Sequence, residues 1–208
     1  MNAEPGLRER KKQQTRSRIT DTAIELFADR GFDKVTVAEI ARLADVSEAT
    51  VFNYFPTKED LVYDGMEAFE QALLESVSNR PEGTSVLSAF REFVLQPRGA
   101  LIDSDPAGVE RIAVIARIVA GSSALQGRER QTFDRYTREL AKVFAEELGS
   151  RSDEVEPWVA ANALMGVNRA MKETVHRQAL AGHSGRRIAK DVVACGRRAL
   201  DLLERGLG

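Results

Sequence analysis

A chain of 208 residues, 43% hydrophobic and 30% charged, has the composition of a folded globular protein rather than a disordered one. Its formal net charge of −2 excludes a uniformly basic nucleic-acid coat, but not a contact surface that is basic locally. The single cysteine, Cys195, excludes an intramolecular disulfide, and with His176 and His183 it makes no zinc-ligand spacing. The start, MNAEPGLRERKKQQ, lacks the apolar run of a leader, and no stretch reaches the roughly 18 apolar residues of a membrane span. The expectation is a cytoplasmic protein with no membrane contact, no cofactor and no metal.

The chain reads as all-α, with about nine helices. A basic cluster opens it: Arg8, Arg10, Lys11, Lys12, Arg16 and Arg18 against Glu4 and Glu9. The first helix is predicted from Arg10 to Arg30, with Ile19, Ala23, Leu26 and Phe27 on one face and Gly31 as its stop. Thr36 with Glu39 three residues on is a capping box, and it opens a short second helix carrying Val37, Ile40, Ala41 and Ala44. Asp45-Val46-Ser47 is a turn. Ser47 caps a third helix, Glu48 to Tyr54, which Pro56 prevents from continuing. Thr57 with Asp60 is read as the start of one long fourth helix reaching Asn79.

Further helices are predicted at 85–96, 109–120, 125–148, 153–181 and 186–205, with Pro and Gly between them. The functional division is drawn at residue 60, inside the fourth helix, which is expected to join both parts without a break. Residues 1–60 make a domain with a basic arm, and 61–208 a helical domain.

The segment Val35 to Lys58 carries the function. Two short helices about a three-residue turn have helix-turn-helix geometry. Ile40, Ala41, Ala44, Val46, Val51 and Phe55 supply the inner face. Glu48, Ala49, Thr50, Phe52, Asn53 and Tyr54 are left to face outwards. Exposed aromatics beside Asn and Thr on one short helix call for a covering partner, and a DNA major groove provides one. Thr and Ala methyls touch thymine methyls, Asn bridges adenine and Tyr reaches phosphate. Lys58 and the amides at its helix start suit a phosphate, and so does Thr36. The basic arm reaches the backbone or minor groove. The expected DNA contacts are therefore Lys11, Lys12, Arg16, Thr36, Val37, Ser47, Glu48, Ala49, Thr50, Phe52, Asn53, Tyr54 and Lys58. For Glu48, capping of its own helix competes with a contact to cytosine.

The stretch Ala23 to Leu61 resembles the DNA-binding domain of the TetR family of regulators. The matching residues are Leu26, Phe27, Gly31, Phe32, Thr36, Ile40, Ala41, Val46, Ser47, Thr50, Asn53, Tyr54, Phe55, Lys58, Glu59 and Leu61. Asp45 stands where the family usually has Gly, and Phe52 where Tyr is common. The resemblance implies an all-helical homodimer paired through its last two helices. It also implies middle helices that enclose a small-molecule pocket, so that 61–208 binds effector and dimerises. The segment from Ser122 to Gly149, with the helix after Trp158, resembles regulators that sense acyl-CoA or other lipidic ligands.

Residue types in the second part offer pocket candidates: Phe69, Phe90, Phe93, Ile115, Phe133, Tyr136, Trp158 and Met165, each of a type that is more often plain core. Asn162, Asn168 and Arg169 interrupt an apolar helix and need polar partners, from a ligand, a second subunit or solvent. His176 reads as a surface or interface residue and Cys195 as a small packed one. No nucleophile elbow, phosphate loop or dinucleotide glycine pattern is present, so no enzyme is expected. The sequence leads to a homodimeric repressor that binds a palindromic operator in double-stranded DNA and is released by a small apolar effector. An activator or ligand-independent regulator of the same fold is the alternative.

Overall fold

The computed structural model describes residues 6–102 and 105–206, apart from the side chains of Met66 and Glu67. Glu4, and the beginning of the segment searched for a leader, lie outside the described residues. Among the described residues, the regular structure is helical throughout: α1 (Leu7–Arg30), α2 (Val37–Leu43), α3 (Glu48–Tyr54), α4 (Met66–Ser78), α5 (Val86–Val94), α6 (Pro106–Ala120), α7 (Ser123–Leu148), α8 (Val155–Leu180) and α9 (Gly185–Arg205). No helix among the described residues is long and apolar enough to cross a membrane.

The chain packs as two compact units. One runs to Met66 and includes Arg117–Gln126; the other comprises Glu67–Ala116 and the chain from Gly127 onward. The last turn of α6, the first turn of α7 and the corner between them therefore belong to the first unit. Within that unit the Ser122 hydroxyl donates to Asp33 (3.2 Å) and the Tyr63 hydroxyl to the Leu125 carbonyl (2.7 Å).

The first unit is built as its sequence dictates. α1 buries Ile19, Thr20, Ala23, Ile24 and Phe27 along one stripe and ends where Gly31 takes φ 84°. The Thr36 hydroxyl accepts from the Glu39 amide (3.2 Å), and the Glu39 carboxylate accepts from the Thr36 amide (2.9 Å), so the capping box is complete. Arg30 also donates to that carboxylate at 3.0 Å.

These bonds hold Glu39 in its charged form, pushing its pKa from 4.5 down to about 2, the backbone hydrogen bond contributing most. A carboxyl with a lowered folded pKa stabilises the fold above its unfolded pKa and loses that effect as pH falls through the folded one. Melting curves taken between about pH 6 and pH 2 should show wild type losing stability relative to Glu39→Gln as the medium becomes acid. A gap that stays constant across this range would mean the carboxylate charge does nothing for α2.

The turn after α2 closes with paired bonds, Val46 N–H to Ala41 O (3.0 Å) and Asp45 N–H to Arg42 O (3.4 Å). This closure requires a left-handed residue between them, and Asp45 takes it at φ 52°. Short polar side chains tolerate that conformation better than others do, which explains how Asp can stand where Gly is usual.

The predicted long fourth helix is broken. The Thr57 and Asp60 pairing forms, with the Thr57 amide on the Asp60 carboxylate at 2.8 Å, but it starts only a single 3-10 turn over Glu59–Leu61. Gly65 at φ 86° then turns the chain, and α4 starts afresh at Met66. Joining the parts through one unbroken fourth helix is thus overturned. The helices that run uninterrupted from one unit to the other are α6 and α7.

In the second unit, Leu73 and Val77 of α4, Val86 and Phe90 of α5, Leu140 and Phe144 of α7, Leu164 and Met165 of α8, and Ile188 and Leu200 of α9 form one apolar core. Ser85 caps α5, accepting from the Ser88 amide at 3.1 Å. Glu147 of α7 adds a charged acceptor at that helix start, 2.7 Å from the Val86 amide. Gly196 lets α9 approach closely: a Cβ there would lie 2.6 Å from the Met171 sulfur.

Candidate nucleic-acid interface

α2 and α3 bury Ile40, Ala41, Ala44, Val51 and Phe55 between them and α1. Ser47 accepts from the Thr50 amide (3.1 Å), and its hydroxyl lies 2.8 Å from that of Thr50, which fixes the start of α3. The outward face then follows from helical geometry. Glu48, Ala49, Phe52 and Asn53 are exposed, with Phe52 47% accessible, while Thr50 and Tyr54 are half-buried. The Tyr54 ring packs 6.4 Å from that of Phe55, tilted by 40°, and this anchors its position.

The basic arm is helical. α1 begins at Leu7, so its first turns project beside α3 instead of trailing as an irregular strand. Gly6, Arg8, Glu9, Lys11, Lys12 and Thr15 on this side line one open groove with Thr50, Asn53 and Tyr54. Arg8, Lys11, Lys12 and Thr15 recur at three- and four-residue intervals, so one helix face meets the reading helix. Arg8 and Thr15 were missed as site residues in the sequence reading. Stepping along one face of α1 from Lys11, three residues back to Arg8 and four on to Thr15, reaches both.

Besides Ser47 and Thr50, three more expected contacts have their polar groups engaged within the unit. Lys58 donates to the Phe32 carbonyl at 2.6 Å, with its ammonium 4.2 Å from the Phe32 ring centroid and 5.7 Å from that of Phe27. Burial lowers its pKa, opposed by Asp33, Glu59 and Glu39. Arg16 donates to Asp64 and to the Tyr54 carbonyl. The Thr36 hydroxyl serves the capping box, while Val37 is half-buried beside it. Ser47 remains exposed at the start of α3.

Five of the pocket candidates share the second unit's core, Phe90, Tyr136 and Met165 within it and Phe93 and Phe133 packed against it. Phe90 and Met165 are fully buried. Phe69 pairs with Phe93 at 5.4 Å, with the Arg98 guanidinium 3.9 Å from the Phe93 centroid. Ile115 is half-buried on α6. Trp158 stands at the surface of α8, 43% accessible. The Asn162 side chain donates to the Trp158 carbonyl one turn back (2.8 Å), so its polarity needs no ligand. Arg169 is exposed and pairs with Glu173 at 3.1 Å, and Asn168 is half-buried. His176 is half-buried, its pKa lowered by burial and by Lys172.

A helix-turn-helix with an outward aromatic and amide face, set beside a basic helix face, defines a DNA-binding transcription regulator. Residues 19–63 match the family model of bacterial regulatory proteins, tetR family. The chain is 29% identical over 152 residues to the HTH-type transcriptional regulator TcmR of Streptomyces glaucescens, covering 72% of this chain and 67% of that one. It is 53% identical over 53 residues to LuxR of Vibrio harveyi, a quarter of each chain (26% and 24%). The transcriptional regulator FadR from Bacillus subtilis shares its fold, with a TM-score of 0.52 at 20% identity over 90% of this chain and 96% of that one. Residues 19–63 thus carry the DNA-binding domain of the TetR family, and the full-length relatives are transcriptional regulators.

Proposed function

We propose that the chain is a ligand-responsive homodimeric repressor that binds a palindromic operator and is released by a small apolar effector. Residues 1–60 read DNA, and 61–208 bind effector and dimerise. The observation that carries the reading is the groove between α1 and α3, where Lys11 and Lys12 flank Thr50, Asn53 and Tyr54. Cations in that position hold phosphate while the α3 side chains reach base edges. A dimer presents two such helices to major grooves one turn apart, about 34–36 Å, and so calls for a palindrome.

The Bacillus subtilis FadR of the same fold was solved in complex with stearoyl-CoA, which supports an apolar effector. With the fourth helix broken at Gly65, the switch is assigned to α6 and α7, whose shared corner packs in the DNA-binding unit. Linkage then requires operator DNA to weaken effector binding as much as effector weakens DNA binding.

The test is selection from a random-sequence duplex pool by the purified chain, followed by footprinting at two salt concentrations. A protected palindrome whose affinity falls with salt, and falls again with a panel of apolar molecules that includes stearoyl-CoA, is the expected result. Protection untouched by the whole panel would leave a regulator without the proposed effector response. Retention of DNA that shows no common sequence would remove the operator.

A further inference from the structure

Arg16 lies among the basic residues of α1, yet its guanidinium is hydrogen-bonded within the unit. Nη2 and Nε donate to Asp64 Oδ1 at 2.7 and 3.1 Å, and Nη1 donates to the Tyr54 carbonyl at 3.3 Å. Its central carbon sits 4.5 Å from the centroid of the buried Phe55 ring. The Thr20 hydroxyl, itself buried, lies 3.3 Å from the other Asp64 oxygen. One side chain thus ties α1 to the C-terminal end of α3 and to the segment just before the Gly65 turn.

Each bond has a physical reason. The Tyr54 carbonyl is among the last of α3, where helix carbonyls lack partners and a cation is favourable. Asp64 fixes the guanidinium plane, and Phe55 supports it from beneath by cation–π contact. α3 is seven residues long, too short to hold its own orientation by backbone bonds alone.

We propose that Arg16 and Asp64 are positioning residues for operator reading: the pair orients α3 against α1, and Arg16 is not itself a phosphate contact. The inference rests on the DNA-binding reading and deepens it. The pair is partly open to solvent, with side-chain accessibilities of 43% and 26%, so its share of global stability is small. Its effect is on the angle at which Asn53 and Tyr54 meet the groove.

A charge comparison separates positioning from phosphate contact. Positioning predicts that Arg16→Gln and Asp64→Asn both weaken binding to the selected duplex, each about tenfold. The double variant should be no weaker than the worse single one, because both remove the same link. The slope of log affinity against log salt should stay at the wild-type value in all three. Asp64→Glu keeps the charge and should recover most of the lost affinity. Circular dichroism melts of each variant check that the helices remain folded.

A phosphate contact predicts the reverse: Asp64→Asn frees the arginine and keeps or tightens binding, while Arg16→Gln reduces the salt slope by about 0.9. That pattern, or full affinity in both single variants, overturns the inference while leaving DNA binding intact. If the wild-type chain selects no duplex, the DNA-binding reading fails and takes the inference with it.

Discussion

Alanine at both Asn53 and Tyr54 should abolish sequence-specific protection of the operator while leaving weak, salt-sensitive binding to any duplex. Asn53 is exposed on the outward face of α3, and Tyr54 is half-buried beside it in the same groove. A well-placed amide on adenine discriminates against other bases by about 1–3 kcal/mol, so Asn53→Ala alone should cost roughly tenfold to a hundredfold. The basic face of Arg8, Lys11 and Lys12 is untouched, so phosphate attraction persists and continues to fall with salt.

Loss of folding would imitate this result, and two features guard against that. Asn53 is exposed, so its removal should change the melting temperature little. Tyr54→Phe keeps the ring against Phe55 and removes only the hydroxyl, so it separates packing from phosphate contact. Footprinting and anisotropy titration on the selected duplex read both quantities. A double variant that still protects the same palindrome would place base reading elsewhere in the unit.

The local code was legible where caps and breakers sit close together in sequence. The bounds of α3 follow from Ser47 before it and Pro56 after it, and the residues found there are Glu48–Tyr54. The inner face of Ile40, Ala41, Ala44, Val51 and Phe55 follows from spacing alone. The fourth helix misled because its start signal is real: Thr57 and Asp60 do pair, but Gly65 stops the run one turn later. A glycine within an apolar periodicity can end the helix that a cap begins.

What stayed hidden were partners distant along the chain. Arg16 finds Asp64, and Lys58 finds the Phe32 carbonyl and ring. Charge on a helix beside a DNA-reading motif suggests phosphate, and nothing local reveals that a carbonyl or ring has claimed the cation first. Aromatic type marks burial without saying which face is buried. Phe90 lies wholly within the core, whereas Trp158, chosen by the same criterion, lies at the surface.

That surface tryptophan leads to the second large expected effect. Val155, Trp158 and Val159 are 71%, 43% and 58% accessible on the first turns of α8. Val155, Val159, Asn162 and Gly166 recur at four- and three-residue intervals, so they lie along one side of the helix. Beyond Gly166 that side is open, with nothing within 4 Å of where a Cβ would stand. On α9, Leu202 is similarly exposed.

An apolar strip of this kind on a soluble surface asks for a partner, and a second copy of the same helix would cover it symmetrically. Under the proposed dimer through α8 and α9, Trp158 is the anchoring side chain, of the kind that costs about 2 kcal/mol or more when removed from an interface. Trp158→Glu with Val159→Glu adds buried like charges across the symmetry axis and should give a monomer. The helices should stay folded, since neither side chain is buried within its own chain.

Operator affinity should then collapse, because one half-site no longer holds the second reading helix in place at high local concentration. Sedimentation velocity gives the mass, and anisotropy on the palindromic duplex gives the affinity. If the variant still sediments as a dimer with unchanged affinity, the pairing face lies elsewhere. A monomer that binds a single half-site as tightly as wild type binds the palindrome would remove dimerisation from the mechanism.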